Sequence, residues 1–409
     1  MNRVNASQAY LAAYHWKMRL LRYYLVRRLV SAWTRSRSRT DRIYVWPPFD
    51  ERMDAEELSS FQINIHHYLR NLDVSVEYYL GTRNGLRRCL LRAPFDETVR
   101  GESTDETTIK QNLQRARYCV LWPMSDKPRA ISLRPYLYMV AEGLGRHGSV
   151  EWLRLASDIY RSRVSLPRCT VPFPKYPVNS CAVLGTGPSL DDFEPESDKW
   201  DAWIGANFLV CDERIRRSGR PFAICLLDPN LFSPLDSVRP LWTHTFALLR
   251  ETPAVLITAL DYAAFIELNF PDDVRRKCHY VKTLGHDTSR IWTSFNLPEM
   301  TITPYGNVLT DLMLPVATSI SRSIMLYGCD GIPPGQKGSL PKSTQLQKYD
   351  DAQFKEMDGR YDQVFYDHYF DRLSFYIRYV VDECMRQGVN ITLRRPSWNA
   401  GLQGLRVPE

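Results

Sequence analysis

A short apolar run, Ala182 to Leu184, ends in Gly185-Thr-Gly-Pro-Ser189, and nothing else in the chain narrows its fold as much. So brief an apolar stretch, cut off by turn residues, reads as a buried strand with both faces covered. Two glycines one residue apart then turn the chain sharply and predict backbone N–H groups left open to an anion. Ser189 suits capping of the next segment, or donation of its hydroxyl to the same ligand. A Gly-x-Gly-Pro-Ser turn alone is as often plain geometry as a binding loop. The residues at the ends of the neighbouring strands therefore decide between the two.

Beyond Pro167–Pro177, which holds four prolines and marks an expected domain boundary, the pattern becomes regular. Strands are predicted over Cys181–Leu184, Ala202–Gly205, Phe222–Leu227, Ala254–Thr258, His279–Lys282, Ser323–Leu326 and Val389–Leu393. Helical segments separate most of them, which predicts a doubly wound, mostly parallel Rossmann-like sheet. Ligands of such sheets bind at the carboxyl ends of the strands. Those ends carry Gly185–Ser189, then Asn207, then Asp228-Pro-Asn230, and later Gly328-Cys-Asp330. Thr303-Pro-Tyr305-Gly306-Asn307 opens a further helix. One Asn or Asp is ordinarily a cap or turn residue. Amides, hydroxyls and two carboxylates on successive strand ends suit a ligand with sugar and phosphate parts.

In their order and spacing these residues resemble the bacterial sialyltransferases of glycosyltransferase family 42. They are also similar to the wider group once called domain of unknown function 115, which includes flagellin glycosyltransferases and an archaeal 6-hydroxymethyl-dihydropterin pyrophosphokinase. The resemblance spans about 178–395 and implies a GT-A-like sialyltransferase variant of the Rossmann-like fold. By position it implies that Gly185, Thr186, Gly187, Ser189, Asn207, Tyr305, Gly306, Asn307 and Asp330 hold a nucleotide, with Asp228 near the transferred sugar. Thr186 and Asp228 stand where the family has Asn. His368, in Tyr366-Asp-His-Tyr-Phe-Asp371, matches the family's general base. Its ordinary pKa suits proton abstraction from a sugar hydroxyl. The aperiodic segment Ile332–Gln347 is placed as a lid, with Tyr349 and Tyr361 meeting the departing phosphate and Lys342 or Lys348 adding charge. Arg322 or Lys282 is a candidate partner for the donor's carboxylate.

No Asp-x-Asp metal motif stands in this half, and the pairs Asp191-Asp192, Asp272-Asp273 and Asp350-Asp351 point apart as neighbours do. A CMP-activated donor leaves with a single phosphate, so no cofactor and no metal are expected. Nine cysteines without a CxxC pair suit reduced thiols.

The net charge of +7 is gathered at the start of the chain, where residues 1–50 hold ten Lys or Arg against Asp41 and Asp50. Leu11, Tyr14, Met18, Leu21, Leu25 and Leu29 recur at helical spacing among them. The pattern predicts a basic amphipathic helix over 1–40 that meets a membrane surface through residues 7–39 or packs on its own domain. No nucleic-acid reading module accompanies it. No stretch suits a bilayer span or a secretory leader, so the expectation is a cytoplasmic protein, peripheral on the inner face of the cell membrane. Residues 41–170 read as a small α/β domain without assignable chemistry, with helical patterns resuming over 133–161; 178–409 read as the catalytic domain. The expected activity is transfer of a nonulosonic acid or Kdo-like sugar from a CMP-activated donor to a glycan or glycolipid. The alternatives are a magnesium-dependent pyrophosphokinase and a flagellin-type protein glycosyltransferase. Homo-oligomerisation is left open.

Overall fold

The strand Cys181–Leu184 is an interior strand of an eight-stranded, all-parallel sheet in the computed structural model. The structure describes residues 42–46, 49–50, 55–82, 85–95, 98–105, 107–109, 118–121, 137–139, 150–165, 178–218, 221–283, 300–302, 307–333, 341–356 and 363–408. The amphipathic stretch expected at 1–40 lies outside them. Among the described residues no helix is long and apolar enough to cross a membrane.

The chain divides into two compact units, Met1–Glu142 and Gly143–Glu409. The first is built on strands β1 (Arg42–Trp46), β2 (Phe49–Asp50), β3 (Ser75–Thr82), β4 (Gly85–Arg92), β5 (Thr98–Thr104), β6 (Tyr118–Leu121) and β7 (Leu137–Met139), with helix α1 (Ala55–Leu69). The sheet runs β5-β4-β3-β1-β6-β7, with β2 beside β3; β3, β4 and β5 form an antiparallel meander and the rest is parallel. Phe61 of α1 meets Tyr78 edge-on at 5.6 Å over the apolar face. Glu77 is fully buried, taking hydrogen bonds from Arg42 at 3.0 Å, Arg88 at 2.9 Å and the Tyr79 hydroxyl at 2.6 Å. A buried carboxylate is tolerable only with partners of this kind. Leu137–Met139 is a strand, not part of the helix expected over 133–161.

The second unit begins earlier than Pro167–Pro177. Helix α2 (Val150–Arg163) belongs to it, although the sequence pattern assigns this stretch to a domain ending at 170. Trp152, Leu153, Leu155, Ala156 and Ile159 of α2 are buried, Ser157 donates to the Leu260 carbonyl at 3.1 Å, and Arg154 pairs with Asp261 at 3.4 Å. These contacts outweigh the proline-rich tether on its C-terminal side.

The strands of the second unit are β8 (Cys181–Leu184), β9 (Ala202–Ala206), β10 (Pro221–Leu226), β11 (Val255–Ala259), β12 (Cys278–Thr283), β13 (Thr301–Ile302), β14 (Ser323–Tyr327) and β15 (Asn390–Leu393). Their order is β13-β12-β11-β10-β9-β8-β14-β15, so the path runs outward from β8 and then returns to its other side. The two-residue β13 is an addition to the expected set. Every residue of β8, β9 and β11 is buried, as strands covered on both faces must be. The connecting helices are α3 (Glu213–Arg217), α4 (Arg239–Glu251), α5 (Ala263–Asn269), α6 (Asp272–Arg275), α7 (Leu314–Ile320), α8 (Gln347–Glu356) and α9 (Gln363–Arg386). Val316, Ala317 and Ile320 of α7 and Ile377, Val380 and Val381 of α9 share one core cluster with Val183, Ile204, Cys225, Ile257, Ile324 and Ile391 of the strands. This is the expected Rossmann-like α/β arrangement.

Candidate functional site

Because β9 lies on one side of β8 and β14 on the other, the chain order reverses beside β8, the place where sheets of this kind take ligands at their carboxyl edge. The loop after β8 and the loop after β14 are bound to each other. Gly185 donates to the Tyr327 carbonyl at 2.8 Å and Gly187 to the Gly328 carbonyl at 2.9 Å. Gly328 in turn donates to Ser189 Oγ at 2.8 Å, and the Ser189 N–H donates to Asp330 Oδ2 at 2.9 Å. The expectation that these N–H groups stand open to an anion is therefore corrected for Gly185, Gly187 and Ser189, because another backbone and a carboxylate already use them. The glycines are needed for closeness. A Cβ on Gly187 would sit 2.4 Å from Asp330 Oδ2, and one on Gly185 would sit 2.3 Å from the Gly328 oxygen.

A third segment closes on this pair. Ser343 donates its N–H to the Thr186 carbonyl at 2.9 Å, and Thr344 places its N–H and hydroxyl on Asp191 at 3.1 and 2.7 Å. Lys342 Nζ lies 3.3 Å from Thr186 Oγ1 and 3.3 Å from Asp350 Oδ1. The part of the expected lid over 341–346 thus packs on the glycine loop. Ser343 is fully buried, yet its hydroxyl has no hydrogen-bond partner. Sequence reasoning misses it, since a serine in an aperiodic stretch carries no signal of burial.

Asn207 follows β9, between the ends of β8 and β10. Its φ is +53°, a left-handed conformation rare outside glycine, and its Oδ1 is buried without a hydrogen-bond partner. Both features cost free energy, and such costs gather where a ligand is handled. Asp228 follows β10, capping the next turn by accepting the Asn230 N–H at 2.9 Å. Burial raises its carboxyl above the ordinary range, against the pull of that hydrogen bond and of the Lys342 charge. Tyr262 packs nearby and donates to the Leu227 carbonyl at 2.7 Å.

A carboxyl raised in the folded state contributes stability below its unfolded value, and that contribution is lost as pH rises through the folded value. At neutral pH the Asp228 charge is then a burden, while asparagine keeps the acceptor for Asn230. Asp228→Asn is expected to melt at a higher temperature than the parent at about pH 7.5. The gain should vanish below about pH 3.5, where neither side chain carries a charge. Paired thermal melts across that range check it.

The other expected residues divide. Asn307 is a cap, its Oδ1 accepting the Leu309 N–H at 2.8 Å, and so is engaged within the fold. It opens the π turn Leu309–Met313, which precedes α7 where Pro315 lacks the N–H of an ordinary turn. Asp330 is buried and spent on Ser189. Tyr349 stacks on Phe208, the residue after Asn207, with ring centroids 5.9 Å apart and planes 7° from parallel. His368 lies on α9, but its side chain is outside the described residues, as are Tyr305, Gly306 and Tyr361 altogether. Arg322 precedes β14 at the opposite edge of the sheet and donates to the Gln387 carbonyl at 2.9 Å, which removes it as a carboxylate partner for a donor. The acidic pairs are tied up locally: Asp192 with Arg395, Asp273 with Arg250, and Asp350 with Lys342. Among the described residues no group of three or more His, Cys, Asp or Glu is placed to hold a metal ion.

No protein-family model matches the chain, and no curated protein matches it in sequence.

Proposed function

We propose that the second unit binds a CMP-activated sugar at the carboxyl edge of β8, β9 and β10 and transfers the sugar to an acceptor hydroxyl. The observation that carries this reading is Asn207, held in a left-handed conformation with a buried amide oxygen that nothing in the fold satisfies. Such a group is preorganised for a donor on a ligand, and the hydroxyls and amino group of a cytidine nucleotide are donors of the right kind. Lys342, 3.3 Å from Thr186 Oγ1 and acting on Asp228 through its charge, supplies a cation for one phosphate.

The resemblance to family 42 sialyltransferases supports the class of donor. In that reaction the bond from the anomeric carbon to the phosphate oxygen breaks, the acceptor oxygen forms a new bond to that carbon, and CMP departs with the electron pair. The acceptor's proton passes to a base, the role given to His368, with Asp228 beside the transferred sugar. The acceptor would be a glycan or glycolipid, reached from the cytoplasmic membrane face.

Calorimetry with CMP, CDP, UDP, GDP and ATP, each with and without magnesium, tests the reading. Saturable CMP binding that survives EDTA is expected. Magnesium-dependent binding of ATP with no response to CMP would overturn it in favour of the pyrophosphokinase.

A further inference from the structure

Beside the turn that begins at Asn207, two basic side chains meet without an acid, and a third acts on them through its charge. Arg216 stands on α3 and His244 on α4, and Arg216 Nη1 lies 3.2 Å from His244 Nδ1. A guanidinium only donates, so His244 accepts at Nδ1, is neutral, and carries its proton on Nε2. Burial lowers its pKa, and the charges of Arg216 and Lys348 lower it further. Lys348, on the first turn of α8, holds its Nζ 4.9 Å from the centre of the Tyr349 ring, which is the ring stacked on Phe208. Helix α8 packs on the turn Asp236–Val238 leading into α4, and α4 packs on the turn Asn207–Cys211, so the three bases share one shoulder of the sheet.

Acids are close in sequence and are spent elsewhere. Asp212 pairs with Arg214, Glu213 with Arg217, and Asp236 with Arg239. Among the described residues no ion pair joins Arg216, His244 or Lys348 to a carboxylate. Arg216 Nε is buried and has no hydrogen-bond partner. A guanidinium with a shielded, unused N–H, turned toward an imidazole and within the field of an ammonium, is a donor set lacking its acceptor. Folding alone does not favour such an arrangement; a bound anion does. The Nε–H and an Nη–H of one guanidinium form the fork that fits two phosphate oxygens, and the His244 Nε2–H and the Lys348 ammonium supply the remaining donors.

We propose that Arg216, His244 and Lys348 form a phosphate-binding subsite, one aromatic stack beyond Asn207, that receives a phosphate group borne by the second substrate. The subsite stands on its own geometry; its assignment to the second substrate rests on the transferase reading above.

Titration of the full chain with inorganic phosphate at matched ionic strength, with and without saturating CMP, tests both parts. Saturable phosphate binding is expected, weakened about tenfold in Arg216→Gln and about fivefold in Lys348→Gln. Lys348 is exposed, so the second variant keeps the fold if the first does not. Absence of saturable binding, or the parent's affinity kept in both variants, would overturn the subsite. Phosphate and CMP bound together support its assignment to the second substrate, and mutual displacement overturns that assignment. Phosphate binding lost in Lys348→Gln by a protein that ignores CMP would keep the subsite and discard the transferase.

Discussion

Gly185→Ala is expected to lower the melting temperature of the second unit by about 6–20 °C. The new Cβ would lie 2.3 Å from the Gly328 oxygen, 2.8 Å from its carbonyl carbon and 3.2 Å from Cys329 Sγ. Two of the three atoms are backbone and cannot swing aside. Relief means parting the loops, with loss of the Gly185–Tyr327 and Gly187–Gly328 hydrogen bonds. Overpacking of about 1–3 kcal/mol and two hydrogen bonds at about 1 kcal/mol each give a cost of about 3–5 kcal/mol, and each kcal/mol moves a unit of this size by about 2–4 °C. Gly388→Ala is the control. Gly388, unlike Gly185, has a left-handed backbone, at φ +79°, and an added Cβ there meets nothing within 4 Å. It should lose only the backbone penalty of about 1–2 kcal/mol. A Gly185→Ala protein that melts with the parent would show that the two loops part at little cost.

Asn207→Gly should move stability and binding in opposite directions. Glycine adopts φ +53° without strain, and the substitution removes an amide oxygen that is buried and unanswered. The gain exceeds the greater chain entropy of glycine, and a net stabilisation of about 1 kcal/mol is expected. CMP affinity should fall at least about tenfold, the value of one well-aligned hydrogen bond in a dry site. Thermal melts and calorimetry on the same preparations read both. If Asn207→Gly melts lower than the parent, the side chain is serving the fold. If CMP binds unchanged, the nucleotide lies elsewhere.

The core strands of the second unit are legible because buried parallel strands are unbroken apolar runs, and Cys181–Leu184 or Val255–Ala259 has no other use. Thr301–Ile302 is not, since two residues carry no period. In the first unit the Asn84-Gly85 dipeptide is a hairpin signal, and a hairpin does join β3 to β4, with Gly85 paired to Thr82 as the first residue of β4. Arg87 and Arg88 hide it by blurring the alternation of β4. Leu137–Met139 passes for helix because a short apolar run fits either period. Within the site, the need for glycine at 185 and 187 is visible in the sequence, but its reason is not. Nothing local announces that Gly328 comes to lie against them, because that contact is set by the return of β14 to the other side of β8. The position of Asn207 is likewise readable and its left-handed backbone is not, since asparagine tolerates that region but adopts it at a minority of its positions. Arg216 and His244 look like unrelated surface residues and meet only through the packing of α4.

The return of β14 also governs when the site can exist. Ser189 and Asp330 are 141 residues apart, and β8 stays an unpaired apolar edge on one side until Ser323–Tyr327 has left the ribosome. Closing so long a loop is slow, and an open edge of this kind invites pairing with other chains. A nascent or truncated chain ending before Ser323 would hold β8 to β13 without the site and would be prone to aggregate. The most conspicuous motif of the sequence is thus among the last parts of the protein to take its shape.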